Sequence, residues 1–159
     1  MTKLKDSLNE CSMKTIWLRI LPLLIVLAAL IADHELVRAQ SLTPQDKIAI
    51  RDVVQAQLNA FKADDAALAY SYASPAIQAK AGSSSAFMAM VRTAYKPVYR
   101  PRAVFFQNIT VMNGVPAQRL LIMDHKGTPV LAVYPMEQQA DGSWRINGCM
   151  LYKGDAQML

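Results

Sequence analysis

Between Leu42 and Asp65 the apolar positions recur at the helical period. Ile50, Val53, Val54, Leu58 and Phe61 fall on one face, and Arg51, Asp52, Gln55 and Asn59 fall largely on the other. Thr43 reads as the N-cap, Pro44 as the first helical residue and Asp46 as a carboxylate at the positive end of the helix dipole. Asp64 or Asp65 then caps a second helix through "AALAYSYA". Ser74-Pro75 interrupts it, because proline lacks an amide donor and disfavours helical geometry in the residue before it. A fresh turn starts there, with Ser74 as cap and Pro75 at its first position. After a break at Gly82 to Ser85, a third helix over 85–95 carries an apolar stripe of Phe87, Met90, Val91, Ala94 and Tyr95, and Pro97 stops it.

From Arg102 the period changes. "RAVFFQNITVM", "QRLLIMD", "PVLAVYPME" and "SWRINGCMLY" are short runs of β-branched, aromatic and long apolar residues, separated by "NGVPA", "HKGT" and "QQADG". Each separator contains Gly or Pro, so the pattern predicts four strands in an antiparallel meander whose apolar face the helices must cover. The expected fold class is α+β: N-terminal helices packed on a curved four-stranded antiparallel sheet, preceded by a hydrophobic export helix.

Ahead of this domain, Lys3, Lys5, Lys14 and Arg19 precede the uncharged run "ILPLLIVLAALIA" (20–32), followed by "DHELVRAQ" (33–40). Basic, apolar and polar segments in that order predict a secretory signal peptide over 1–39, with cleavage after Ala39. The alternative is an uncleaved anchor, since Thr15 to Ala32 approaches the ~20 residues a bilayer-spanning helix needs. Both readings place the single α+β domain over 40–159 outside the cytoplasm, as a periplasmic or secreted protein or one anchored in the inner membrane. Contact with the membrane is expected only through the N-terminal segment.

Charge and cysteine content narrow the function classes. The full chain of 159 residues has a formal net charge of +5, and beyond residue 39 there are 12 Lys and Arg against 8 Asp and Glu. So mild and dispersed a surplus argues against nucleic-acid binding. Cys149 has no expected intramolecular partner, because Cys11 lies ahead of the apolar run. Along the last strand, alternation puts Trp144, Ile146, Met150 and Tyr152 on one face and Arg145, Asn147, Cys149 and Leu151 on the other. A bulge at Gly148 would move Cys149 across. Its two readings are a thiol lining a pocket mouth and a small buried hydrophobe.

Helices followed by a curved meander ending in "DGSWRINGCML" resemble the nuclear-transport-factor-2-like (cystatin-like, cone-shaped) superfamily, whose last strand often carries a Trp and, two positions on, an apolar residue, here Trp144 and Ile146. More narrowly, "AFKADDAALAYSYASPAIQ" (60–78), "FMAMVRTAY" (87–95) and "WRINGCML" (144–151) resemble a bacterial family called domain of unknown function 4864, over about residues 43–153. That family name implies no activity. The wider superfamily holds isomerases, dehydratases, cyclases, ligand carriers and dimeric modules, and fold alone does not choose among them. Where its members are enzymes, the resemblance implies an Asp base and a Tyr donor in a pocket between helices and sheet. Asp64, Asp65, Tyr70, Tyr72, Tyr95 and Tyr134 are counterparts in kind, and none matches a motif.

The residue types point to one candidate binding region. In "VRTAYKPVYRPR" (91–102), Arg92 and Lys96 stand four apart on a helix, and Arg100 and Arg102 share one side of an extended segment, with Tyr95 and Tyr99 interleaved. With Cys149 these are the candidate ligand contacts: Arg92, Tyr95, Lys96, Tyr99, Arg100 and Cys149. The competing reading of the basic residues is a solvated helix end favoured by its dipole. Asp124-His125 suggests a base and its orienting carboxylate, yet "MDHKGTP" reads as a turn between strands. No catalytic set, metal spacing or cofactor motif is legible. The expected function is non-enzymatic binding of a small apolar or anionic ligand, or of a second copy in a homodimer. The alternatives are a pocket enzyme of isomerase or dehydratase type and a structural dimerisation module.

Overall fold

The computed structural model describes residues 42–153. The expected signal peptide or anchor over 1–39 and its cleavage site lie outside the described residues. Helix α1 spans Pro44–Ala63, α2 Ala66–Ser71, α3 Pro75–Ala81 and α4 Ser84–Ala94, and five strands follow: β1 Ala103–Met112, β2 Val115–Met123, β3 Pro129–Gln138, β4 Trp144–Ile146 and β5 Met150–Tyr152. The architecture is α+β, with helices first and an open antiparallel sheet after them. Among the described residues no helix is long and apolar enough to cross a membrane.

Local chemistry starts each helix where the sequence indicates. Thr43 and Asp46 form a reciprocal capping box: the Asp46 amide donates to Thr43 Oγ1 at 3.1 Å, and the Thr43 amide donates to Asp46 Oδ2 at 3.0 Å. The second carboxylate oxygen of Asp46 accepts from Trp144 Nε1 at 3.1 Å, tying the start of α1 to β4. Asp65 caps α2 by accepting from the Leu68 amide, and Ser74 caps α3 by accepting from the Ile77 amide. Asp64 instead ends α1 in the left-handed conformation (φ 58°), leaving its carboxylate free for other partners.

The sheet is a meander in which β1 pairs β2, β2 pairs β3, and the far edge of β3 takes both β4 and β5. The expected fourth strand is therefore two short ones. Ile146 pairs Met136 and Met150 pairs Val133, so three residues of the last segment face two of β3. One extra residue between paired strands is a bulge, and it falls at Asn147-Gly148-Cys149, where Gly148 has φ 154°. A second irregularity lies between Phe106 and Ile109 in β1. There the buried Gln118 side chain donates from Nε2 to the Gln107 and Arg119 carbonyls at 2.7 and 2.8 Å, supplying a donor where the ladder is interrupted.

Register separates the two faces. Phe106, Leu120, Ala132 and Leu151 form one row across the sheet, and these side chains pack with Ile50, Val54, Leu58 and Phe61 of α1 and with Phe87 and Val91 of α4. The row beside it, Phe105, Leu121, Leu131 and Tyr152, points to the opposite face, where Phe105 is 55 % and Tyr152 39 % exposed. In α4, Met88 is buried with Phe87 and Val91, while Met90 and Ala94 of the expected stripe are exposed. The α2–α3 link adds to the edge of the sheet: Ala73 bridges Ile146 in parallel, Ile146 N–H donates to the Tyr72 carbonyl, and Ser74 N–H donates to the Ile146 carbonyl. Ser74 Oγ also bonds Asn147 Oδ1 at 2.8 Å.

Candidate functional site

A cavity of about 240 Å³ lies between the helices and the inner face of the sheet. Every helix except α2 contributes to it. Gln57 and Phe61 come from α1, Ile77, Lys80 and Ala81 from α3, and Phe87, Met90 and Val91 from α4; Ala73, Tyr95 and Val98 come from connecting segments. The sheet side is closed by Tyr134 and Ile146, with Gly148 and Cys149 from the bulge. Lys80 and Met90 are exposed and mark the rim, while Phe61, Val91 and Tyr134 are buried at the depth.

Helix geometry explains why the space stays open. Phe87 stacks at an angle against Phe61 and edge-on to Tyr70, with centroids 6.2 and 5.8 Å apart, and these rings hold α1, α2 and α4 at a fixed spacing. Gln57, 3 % exposed, spends its amide nitrogen on the Ala69 carbonyl at 3.0 Å, which locks α1 to α2. The Tyr70 hydroxyl donates to the Gln78 carbonyl at 2.7 Å, and Gln78 Nε2 donates back to the Tyr70 and Ala73 carbonyls, which fixes α3 against α2.

The polar content of the deep wall is small. Tyr134 is 1 % exposed, and its hydroxyl interacts with the Cys149 thiol. The contact falls short of ideal hydrogen-bond geometry, and both groups are withdrawn from water. Burial, and after it the proximity of Cys149, pushes the Tyr134 hydroxyl well above the ordinary tyrosine range. Burial likewise pushes the Cys149 thiol up to about 12. Whole-residue exposure leaves Cys149 only half-buried, because it opens onto the cavity it lines, while its sulfur is deeply desolvated. The bulge thus resolves the facing of Cys149: it turns inward with Ile146, and Leu151 also joins the core side.

The other candidates from the sequence form a separate cluster. Asp64 gathers the guanidinium of Arg92 at 2.7 Å, the guanidinium of Arg100 and the hydroxyl of Tyr99. Both guanidinium groups also lie over the Tyr99 ring, with Cζ 5.5 and 5.4 Å from the centroid. The Tyr99 hydroxyl, followed by Arg92, holds the Asp64 carboxyl below the ordinary carboxylate range. The expected extended segment from Arg100 to Arg102 is corrected here: Arg100 adopts φ 55°, and its side chain returns to Asp64 while Arg102 begins the pairing with Met123. Asp64 carries no capping side-chain bond of the kind Asp65 makes; it anchors this cluster instead.

Of the six candidate contacts, Tyr95 and Cys149 line the cavity, Arg92, Tyr99 and Arg100 converge on Asp64, and Lys96 is exposed in neither group. Tyr95 and Val98 lie in the segment that the Asp64 cluster holds down, so the cluster positions one wall of the cavity. His125 is exposed at the β2–β3 turn, and the Asp124 carboxylate accepts from the Lys126 and Thr128 amides at 2.8 Å, a turn role. Among the described residues no three His, Cys, Asp or Glu side chains converge as a metal site requires. Sequence reasoning missed Gln57, Ile77, Lys80 and Val98 as lining residues; only Ile77, in the first turn of a proline-started helix, and Val98, directly after Pro97, carried a signal as apolar positions.

Comparison with known families matches residues 43–159 to the model described as Domain of unknown function (DUF4864). No curated protein and no solved structure matches this chain.

Proposed function

The chain belongs to that family over more than half its length, and from there we propose that it is an exported domain that binds a small, largely apolar molecule in the cavity between its helices and its sheet. The observation that carries this reading is the cavity itself: about 240 Å³ of space walled by Phe61, Ile77, Phe87, Val91, Val98 and Ile146, with few polar atoms at depth. Apolar lining drives a ligand in by the hydrophobic effect, and a few placed polar groups fix its orientation. The order of helices before a meander, with Trp144 and Ile146 on the last strand pair, supports placing the domain with the cone-shaped folds. The basic, apolar and polar order of residues 1–39 supports export.

Binding is favoured over proton-transfer catalysis by the titratable groups at the cavity. They are tyrosines, Lys80 and the inert Cys149, while Asp64 is engaged by two arginines and His125 stands in the turn between β2 and β3. An anionic ligand head would meet Lys80 at the rim of the cavity, whereas Arg92 and Arg100 already share the Asp64 carboxylate.

Native mass spectrometry of the full chain purified from its own host tests the reading. The expected spectrum shows a retained small molecule, lost in Ala81→Trp, whose indole is placed to enter the cavity. A ligand-free spectrum for both proteins counts against it.

A second reading is favoured by the outer face of the sheet. The row Phe105, Leu121, Leu131, Tyr152 is apolar across four strands and partly exposed, and such a face suits a second copy of this chain related by a two-fold axis. Phe105→Glu puts a charge into that row, and sedimentation velocity is expected to find a dimer for the natural chain and a monomer for the variant. A natural chain that sediments as a monomer at all concentrations removes this reading and leaves the cavity reading untouched.

A further inference from the structure

We infer that the cavity takes a single-tailed anionic amphiphile, a carboxylate carrying one hydrocarbon chain, with the chain inserted between helices and sheet and the carboxylate held at the mouth by Lys80. This rests on the cavity-binding reading above and names the chemistry of its ligand. Two observations carry it. The first is the placement of Lys80. Ile77, Lys80 and Ala81 stand three and four residues apart on α3, so they share the face that lines the cavity. Lys80 is nevertheless exposed. A lysine so placed lays its methylene stem along the apolar wall and carries its ammonium to the water at the opening. Among the described residues it is the one charged side chain of the lining, and no described carboxylate forms an ion pair with it.

The second is the change of polarity from mouth to depth. Phe61, Phe87, Val91 and Ile146 offer no countercharge inside, and the burial that pushes the Cys149 thiol up to about 12 penalises any other anion seated beside it in the same way. A charge is therefore disfavoured at depth and matched at the rim, which gives the cavity a direction: hydrocarbon inward, anion outward. A cationic head would meet Lys80 as a like charge. Because Lys80 is exposed, water and salt weaken its pairing, so the buried chain supplies most of the affinity and the head decides the choice among ligands.

The test uses three probes that share one eight-carbon chain and differ in the head: octanoate, 1-octanol and octylammonium. Affinities of the full chain, of Lys80→Gln and of Lys80→Glu are measured at neutral pH by nuclear magnetic resonance titration, read at the Val91 and Ile146 amides. The natural chain is expected to bind octanoate more tightly than octylammonium. Lys80→Gln is expected to weaken octanoate about two- to fivefold, as loss of one exposed ion pair would give, to leave 1-octanol unchanged, and to lose its effect on octanoate in high salt. Lys80→Glu is expected to weaken octanoate further and to strengthen octylammonium. An octanoate affinity that neither variant changes overturns the inference while leaving the cavity reading intact, as does octylammonium bound by the natural chain as tightly as octanoate. An equal loss of octanoate and 1-octanol in Lys80→Gln reduces Lys80 to a packing role and overturns the inference too. Binding of none of the three overturns both. Should Lys80→Glu fail to fold, Lys80→Gln decides alone.

Discussion

Cys149 shows how one inserted residue sets the chemistry of a neighbour. Strict alternation through "WRINGCMLY" would turn its thiol outward, opposite Ile146. The bulge turns it onto the cavity wall beside Tyr134. Gly148 permits this at φ 154°, and a Cβ added there would meet only Pro135 at 3.8 Å, an ordinary contact. Gly148→Ala is therefore expected to be destabilising through backbone conformation rather than collision, by about 1–3 kcal/mol in chemical denaturation; an unchanged midpoint would show that the bulge tolerates a side chain. With its pKa pushed up to about 12, the thiol is protonated at neutral pH, and only the thiolate is a strong nucleophile. Maleimide is expected to label Cys149 slowly in the native protein and quickly in denaturant, with Cys149→Ala giving the background from Cys11. Fast native labelling would contradict the buried thiol. The sequence carried the bulge as an option, because a glycine inside a strand is its common mark. It did not carry the identity of the facing residue, Tyr134, since that depends on the register of β3 against two separate short strands.

At the scale of elements, the helix starts were legible and their long-range ties were not. Thr43, Asp65 and Ser74 act within three residues of their own positions, so local rules suffice to find them. Asp46 to Trp144 and Asp64 to Arg92, Tyr99 and Arg100 join residues 28 to 98 positions apart, and no periodicity reports such contacts. The basic residues at 92–102 read as a site for an external anion, and the partner that two of them, Arg92 and Arg100, have within the chain sits on another helix end, at Asp64. Its carboxyl titrates below the unfolded value of 3.8 in the folded chain. The native state thus binds fewer protons than the unfolded state in that range, so the stabilisation is full above 3.8 and is lost as pH falls through the folded pKa. Asp64→Asn keeps a residue that tolerates the left-handed conformation of this position. The natural chain is expected to melt higher than Asp64→Asn at neutral pH, with the gap closing as pH falls below 3.8 and narrowing in high salt, because the partners are surface-exposed. A gap independent of both would assign the effect to something other than the ion pairs.

For the whole molecule, the sheet has two apolar faces and the helices cover one. The change from helical to alternating periodicity near Arg102 made the α+β order legible, and the β2–β3 turn at "HKGT" was readable from turn chemistry alone. The division of the last strand was legible only as an optional bulge at Gly148, because two strands of three residues each are too short to show a period of their own. A pocket between helices and sheet was implied by the superfamily resemblance, but its lining was not legible: it is the space that the Phe61–Phe87–Tyr70 ring contacts and the Gln57 and Gln78 ties keep three helices from closing. Its occupancy by a small apolar molecule is the claim on which the functional reading depends. The most direct measurement is a titration of the isotope-labelled full chain with cumene, followed by amide chemical shifts. Saturable shifts confined to Phe61, Val91, Ile146 and Cys149 are the predicted result; no shifts at saturation, or shifts centred on Phe105, Leu121 and Tyr152, would contradict it.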